Sequence, residues 1–302
     1  MISNCEVTEI FYLCDEFSKE FEKNTENYRL QPNDGKVHRN KPNRLSDSEV
    51  MTILIAFHLS RVRNLKFFYL HYVCKHLTSE FPNFVSYNRF VELQQRVAIS
   101  LVLFLKVCRM GKCTGISFID STTLKVCHIR REKQNRVFKG LALKGNGTLG
   151  WFFGFKLHLI INDKGEIISF VITQGNVDDR APLKIESFIS AVSGKLYGDK
   201  GYISKQLAEI LFCDGINLVT KMRNNMKGGE LPLKDRLLLR KRAVIECVND
   251  ELKNICQIEH TRHRCFTNFI TNLIAGLLAY SFLPKKPAIN VDFIDDKQLV
   301  LF

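Results

Sequence analysis

From Glu6 to about Cys108 the apolar positions recur three and four residues apart, the spacing that lines one face of a helix. "EVTEIFYLCDEFSKEF" carries one such pattern, followed over residues 31–44 by a polar connector rich in Pro and Asn. "LSDSEVMTILIAFHL" begins the next, with Ser46 or Asp47 as its N-cap. "NLKFFYLHYVCKHL" and "SYNRFVELQQRVAISLVLFLKVC" complete an all-helical N-terminal region. The last opens on Ser86-Tyr87-Asn88-Arg89, which reads equally as a bundle helix with a Ser cap or as a recognition helix presenting Arg89 to DNA.

From Gly115 the period shortens to two. "GISFIDST", "GWFFGFKLHLII" and "EIISFVITQGN" read as strands, the latter two joined by the turn "NDKG". "PLKIESFISAVSG" reads as a helix from its Pro to its Gly, "KLYGD" as a short strand, "SKQLAEILFCDG" as a helix closed by Gly215, and "INLVTK" as a fifth strand. The helix "RAVIECVNDELK" follows. At 100° per residue, Arg242, Glu246, Asn249 and Lys253 fall within roughly 60° of one another, opposite Val244, Ile245, Val248 and Leu252. Taken alone, that polar ladder is a solvated face with an Arg242–Glu246 pair. "FTNFITNLIAGLLAYSFL" is interrupted by Thr and Asn and reads as a packed helix, not a membrane span.

Charge narrows the partner. Against 31 acidic residues stand 44 Lys and Arg, a net charge of +13, which favours a polyanion and nucleic acid first. The ten cysteines include no CxxC pair, and His260-x-x-His263-x-Cys265 lacks a second pair of ligands at zinc spacing. The first apolar run is broken by Cys14-Asp15-Glu16, so no secretory signal is expected, and reduced cysteines in the cytoplasm are.

The order of strands and helices from Gly115 is that of the ribonuclease H-like fold: an α/β mixed sheet with flanking helices, here preceded by the all-helical region. In that topology the first and fourth strands are neighbours. Asp120 ends the first ("FIDSTTLKV") and Asp199 the fourth ("LYGDKGY"), while Glu246 rides the helix laid across them. Three converging carboxylates repel one another. Hard divalent cations relieve that repulsion, and a pair of Mg²⁺ or Mn²⁺ ions supports in-line displacement at a phosphodiester.

The spacing Arg242-x3-Glu246-x6-Lys253, with the contexts of Asp120 and Asp199, resembles the tyrosine–arginine–glutamate–lysine signature of bacterial insertion-sequence DDE transposases. The 46 residues between Asp199 and Glu246 most resemble the insertion sequence 982 family. The signature's Tyr would fall at Leu239, which departs from the pattern. The resemblance implies a helical DNA-end-binding region (1–112), a catalytic domain (113–283) and a tail (284–302). It implies two metal ions per site on Asp120, Asp199 and Glu246, with cleavage at transposon ends and transfer of the freed 3′-OH into target DNA. Terminal inverted repeats and target DNA are the implied partners, with a homodimer pairing the two ends on nucleoid DNA and no membrane. A purely hydrolytic nuclease of the same fold, or a non-catalytic descendant that only binds DNA, are the rival readings.

Further residues fit a DNA path. Lys125 to Lys156 holds eight Lys and Arg against Glu132, among them Arg130 and Arg131, interrupted by a glycine-rich "KGNGTLG" expected as a loop. Lys221 to Arg242 holds eight against Glu230 and Asp235. Lys200 follows Asp199 directly, and Asn249 lies one turn from Glu246. Asp178 and Asp179 read as an N-cap pair or as support for the site, and His158 as a hydrogen-bonded strand residue beside Lys156.

Overall fold

The structure is a computed structural model, and it describes residues 2–25, 43–147, 150–221, 231–259 and 263–290. In chain order the main elements are α1 (Asn4–Thr25), α2 (Asp47–Leu59), α3 (Tyr87–Arg96), α4 (Ala98–Phe104), β1 (Ile116–Cys127), β2 (Leu143–Gly147), β3 (Gly150–Asn162), β4 (Ile167–Gln174), β5 (Gly194–Gly198), α5 (Lys205–Cys213), β6 (Ile216–Thr220), α6 (Leu233–Lys241), α7 (Ala243–Asp250) and α8 (Phe266–Phe282). They divide into two units, Met1–Arg109 with Leu252–Phe282, and Met110–Glu251 with Leu283–Phe302.

The helical unit is set by caps and by a nearly dry interior. Ser46 accepts from the Glu49 amide while the Glu49 side chain accepts from the Ser46 amide, a complete capping box at the start of α2. Ser86 caps α3 through the Arg89 amide at 3.3 Å. The expected catalytic domain runs to residue 283, but α8 belongs with the helical unit. It is apolar almost all round, so a single interface cannot bury it. It packs on α2, α3 and α4. The Arg109 guanidinium donates to the Ser281 carbonyl at 3.0 Å, placing a cation at the helix's negative end. Buried His58 of α2 donates from Nδ1 to the Cys256 carbonyl, tying the Leu252–Phe282 stretch to α2.

The sheet unit has the expected topology. Neighbours run β4, β3, β1, β5, β6, antiparallel across β4–β3–β1 and parallel across β1–β5–β6. Ile119, Ile160, Leu196, Phe188, Leu207 and Leu211 fill the core on one face. On the other, Phe118 stacks on Tyr197 at 5.6 Å between ring centres. Tyr197 reaches across to α6, where its hydroxyl donates to buried Asp235 at 2.7 Å. This mixed sheet with flanking helices is the ribonuclease H-like arrangement.

Three local expectations change. The "KGNGTLG" stretch is not a free loop: its first half is β2, paired to the start of β3 along the same edge that β4 occupies further on. Glycine makes this possible, because a Cβ at Gly145 would lie 2.0 Å from the Gly175 carbonyl oxygen. The expected helix after β4 is instead a 3₁₀ turn (Ala181–Lys184) and one short turn (Glu186–Ile189). The "RAVIECVNDELK" helix is broken at both ends, at Arg242 between α6 and α7 and by a π-helical turn over Glu251–Ile255. Among the described residues no helix is long and apolar enough to cross a membrane.

Candidate active site

Strand register brings the two aspartates together. β1 pairs in parallel with β5, Phe118 opposite Tyr197. The same offset carried two residues on sets Asp120 opposite Asp199, just past the end of β5. Asp199 caps the 3₁₀ turn that follows, accepting from the Gly201 amide at 2.8 Å. Glu246 comes from α7, which packs against β1. Asn249, one turn further along α7, donates to Asp120 Oδ2 at 3.0 Å.

A guanidinium lies among the acids. Arg242 donates to Glu246 Oε1 at 2.7 Å, and another of its nitrogens stands 3.6 Å from Asp120 Oδ1. Its side chain is 18% exposed, against 59% for Glu246. Burial pushes the Asp120 carboxyl up to about 6; Arg242 pulls it down, and the charges of Asp199 and Glu246 push it further up. Each of the three acids thus bears on the same electrostatic centre, two of them bridged by one internal cation. Tyr202, from the turn that Asp199 caps, is 2% exposed, and the charges of Asp120, Asp179 and Asp199 help burial raise its phenol above the ordinary range.

The remaining expected residues divide by place. Lys253 belongs to the helical unit. The π-helical turn changes the angular step after Glu251, and the Lys253 ammonium pairs with Glu259 at 3.5 Å in the helical unit. Arg89, also in the helical unit, is half-exposed and pairs with Glu92 at 2.7 Å. Lys125 is on the open end of β1, Arg130 and Arg131 lie in the 3₁₀ turn Ile129–Gln134, and Lys200 follows Asp199 on the surface. Residues 222–230 of the second basic segment, and His260 of the His/Cys cluster, lie outside the described residues.

Asp178 and Asp179 part company. Asp178 pairs with Arg180 at 2.7 Å. Asp179 accepts from Ser121 and from Lys156, each at 2.9 Å, and so braces the residue next to Asp120. His158 is buried, bonded to Thr173 at 2.9 Å, and burial pushes its pKa down to about 4. Leu239, at the place of the signature Tyr, is buried apolar packing. Sequence reasoning missed the trio of Asp235, Lys195 and Tyr197 that pins α6 to β5 and thereby sets where α7 begins. The only signal for it was an acid, Asp235, in a strongly basic stretch.

The donor chemistry suits a hard divalent cation. All three acids offer oxygen, and Asp120 is a buried carboxyl pressed by two like charges, which a cation of higher charge would relieve. Among the described residues the acids do not already form a closed three-ligand cluster; the Arg242 bridge occupies their midst.

A family model described as "Transposase DDE domain" matches residues 110–266, just over half of the chain. No curated protein matches the sequence. Among solved structures, the piggyBac transposase synaptic complex with hairpin DNA is similar at 11% identity and a TM-score of 0.47, over 93% of this chain and 72% of that one. The Mos1 strand transfer complex is similar at 13% identity and a TM-score of 0.22, over 72% of this chain and 77% of that one.

Proposed function

This chain belongs to the transposase DDE domain family, and we propose that it is an insertion-sequence transposase, akin to the bacterial insertion sequence 982 group, that cuts DNA at element ends and joins the freed 3′-OH to target DNA. The observation that supports this reading best is that Asp120 on β1 lies within reach of the charges of Asp199 at the end of β5 and Glu246 on α7, with Arg242 held between Asp120 and Glu246. Asp120, Asp199 and Glu246 would hold Mg²⁺ or Mn²⁺, two ions per site, which when bound supply a charged oxygen nucleophile at neutral pH and offset charge on the leaving oxygen.

The chain's own residues do the rest. Asn249 holds one oxygen of Asp120, fixing the direction of the other. Asp179, itself held by Lys156, fixes Ser121 and so the β1 backbone beside Asp120. Arg242 is the counter-charge of Asp120 and Glu246 while DNA is absent. Its planar fork then suits the paired oxygens of a phosphodiester entering beside them. Lys125, Arg130, Arg131 and Lys200 contact backbone phosphates around the site, and Arg89 and Lys253 contact them from the helical unit. Residues 1–112 bind the terminal inverted repeats, the sheet unit within 113–283 carries the chemistry, and the chain acts as a homodimer on nucleoid DNA in the cytoplasm.

The test is a duplex carrying the gene's own flanking sequence, incubated with Mg²⁺ or Mn²⁺ and either wild type or Glu246→Gln. Metal-dependent cuts at a defined end and strand-transfer products, both lost in the variant, are expected. Cuts without strand transfer would favour a hydrolytic nuclease; binding without cuts would favour a non-catalytic descendant. Undiminished cutting by Glu246→Gln would overturn the assignment of the acids.

A further inference from the structure

The chain has one tryptophan, and it is not in the core. Trp151 stands second in β3, opposite Asn146 of β2, near the turn of the hairpin. Its neighbours Phe152 and Phe153 are buried, whereas Trp151 is 61% exposed. Leaving an indole in water forgoes the burial that usually places this residue inside, so a second use for the ring is worth seeking. Lys144, on the partner strand, holds its ammonium 4.9 Å from the ring centre. That contact orients the indole and sets a cation at its face.

The surroundings select an anionic, aromatic ligand. Between Lys125 and Lys156 the chain carries eight cations and one acid, a net +7. Directly paired residues of antiparallel strands share a sheet face, so Asp120 lies on the same face as Leu159 of β3. Alternate residues carry that face from Leu159 through buried Leu157, Phe155 and Phe153 to Trp151, where it opens, so DNA would pass along the outside of the unit and not on the sheet. Eight residues of strand span roughly 26 Å. DNA with its reacting phosphate at Asp120 would cover that distance in about eight nucleotides.

We infer that Trp151 and Lys144, at the tip of the β2–β3 hairpin, form a stacking site for a terminal or unpaired nucleobase of DNA. The inference rests on the proposed reading that DNA is the substrate. Inside an intact duplex every base face is already stacked, so an indole finds a partner only where an end or an unpaired strand offers one. Cleavage at an element end creates such faces. Lys144 then meets the phosphate beside the stacked base, a charge contact that a hairpin-stabilising pair alone would not need.

Because Trp151 is the sole tryptophan, fluorescence of the full-length protein excited at the red edge of the absorption band, where the eight tyrosines do not absorb, reports on this site alone. Three DNA forms of one sequence would be used: a duplex with a short single-stranded overhang, a blunt duplex and a covalently closed circle. Binding would be followed separately by filter retention. Quenching of Trp151 by the overhang duplex, absent with the closed circle, is expected. Trp151→Ala should bind the overhang duplex about tenfold more weakly and the circle unchanged. Trp151→Phe, which keeps an aromatic ring, should recover most of that loss, and thermal melts would confirm that both variants fold. Retention of DNA with no change in emission, or binding of the overhang duplex by Trp151→Ala as tight as by wild type, would overturn the stacking site and leave the DNA reading intact. No retention of any DNA by wild type would overturn both.

Discussion

The helical unit and the sheet unit bury polar groups of opposite kinds. In the helical unit the buried groups are neutral: Thr52, Gln94, Asn268, Asn272 and His58. Burial holds the His58 imidazole down to about 4, so it is uncharged at neutral pH. In the sheet unit they include a charge, Asp235 at 5% exposure beside Lys195, and two more charges are partly buried, Lys156 against Asp179 and Asp120 against Arg242. Neutral buried groups cost little once hydrogen-bonded, and they specify packing. Buried charges cost more than they return in stability, and persist where chemistry or registration needs them. The difference suggests that the helical unit is built as a packed support, and that the sheet unit gives up stability to concentrate charge at one place.

The sharpest way to break that contrast is to remove the charge. Asp120→Asn should lower DNA cleavage by about a thousandfold or more, the scale seen when an essential group of a catalytic set is lost. It should also stabilise the metal-free protein. The Asp120 pKa is raised from an ordinary 3.8 to about 6, so its folding contribution is greatest below 3.8 and is lost as pH rises through 6. Near pH 7 the variant should therefore exceed wild type by about 2 kcal/mol, after discounting for the part of the side chain that solvent reaches, and below pH 3.8 the gap should close. Equal pH profiles of denaturant unfolding would remove the premise that the sheet unit buries a strained charge.

Next in size is the anchor under α6. Asp235→Ala leaves the Tyr197 hydroxyl and the Lys195 ammonium without their shared acceptor. A loss of about 3 kcal/mol is expected in chemical denaturation, with cleavage reduced because α7 loses its fixed starting point. A variant that melts like wild type would show the trio to be ornamental.

The helical unit should answer pH in the opposite sense. His58 has a lowered pKa, so its contribution is present above the ordinary 6.5 and is lost as pH falls towards 4. Amide exchange in α2 and α8 should quicken across that window in wild type and less so in His58→Gln. The smallest effect is local: Ser46→Ala opens the capping box and should cost about 1 kcal/mol, read as a lower melting temperature of the helical elements.

Much of this was legible along the chain. Alternation announced β1, β3 and β4, a Ser cap announced α2 and α3, and the contexts of Asp120, Asp199 and Glu246 marked the acids, because each rests on contacts a few residues apart. β2 was not legible, since a five-residue run with two glycines has little side-chain alternation and pairs only because neighbouring backbones can approach it. The polar ladder was half legible: Arg242 and Asn249 do meet Asp120 and Arg242 pairs with Glu246, but a π-helical turn breaks the 100° step before Lys253, which pairs with Glu259 in the helical unit.

By itself, then, the sequence determined most of the strands and helices, the basic charge and which three acids stand out by their contexts, all of them local or additive properties. Tertiary structure alone decided that Asp120 comes beside Asp199, that Arg242 pairs with two acids at once, that α8 joins the helical unit, and that Trp151 stays outside the core. Strand register, helix breaks and the sharing of a buried face are settled by residues far apart in the chain, whose energies exist only when they touch.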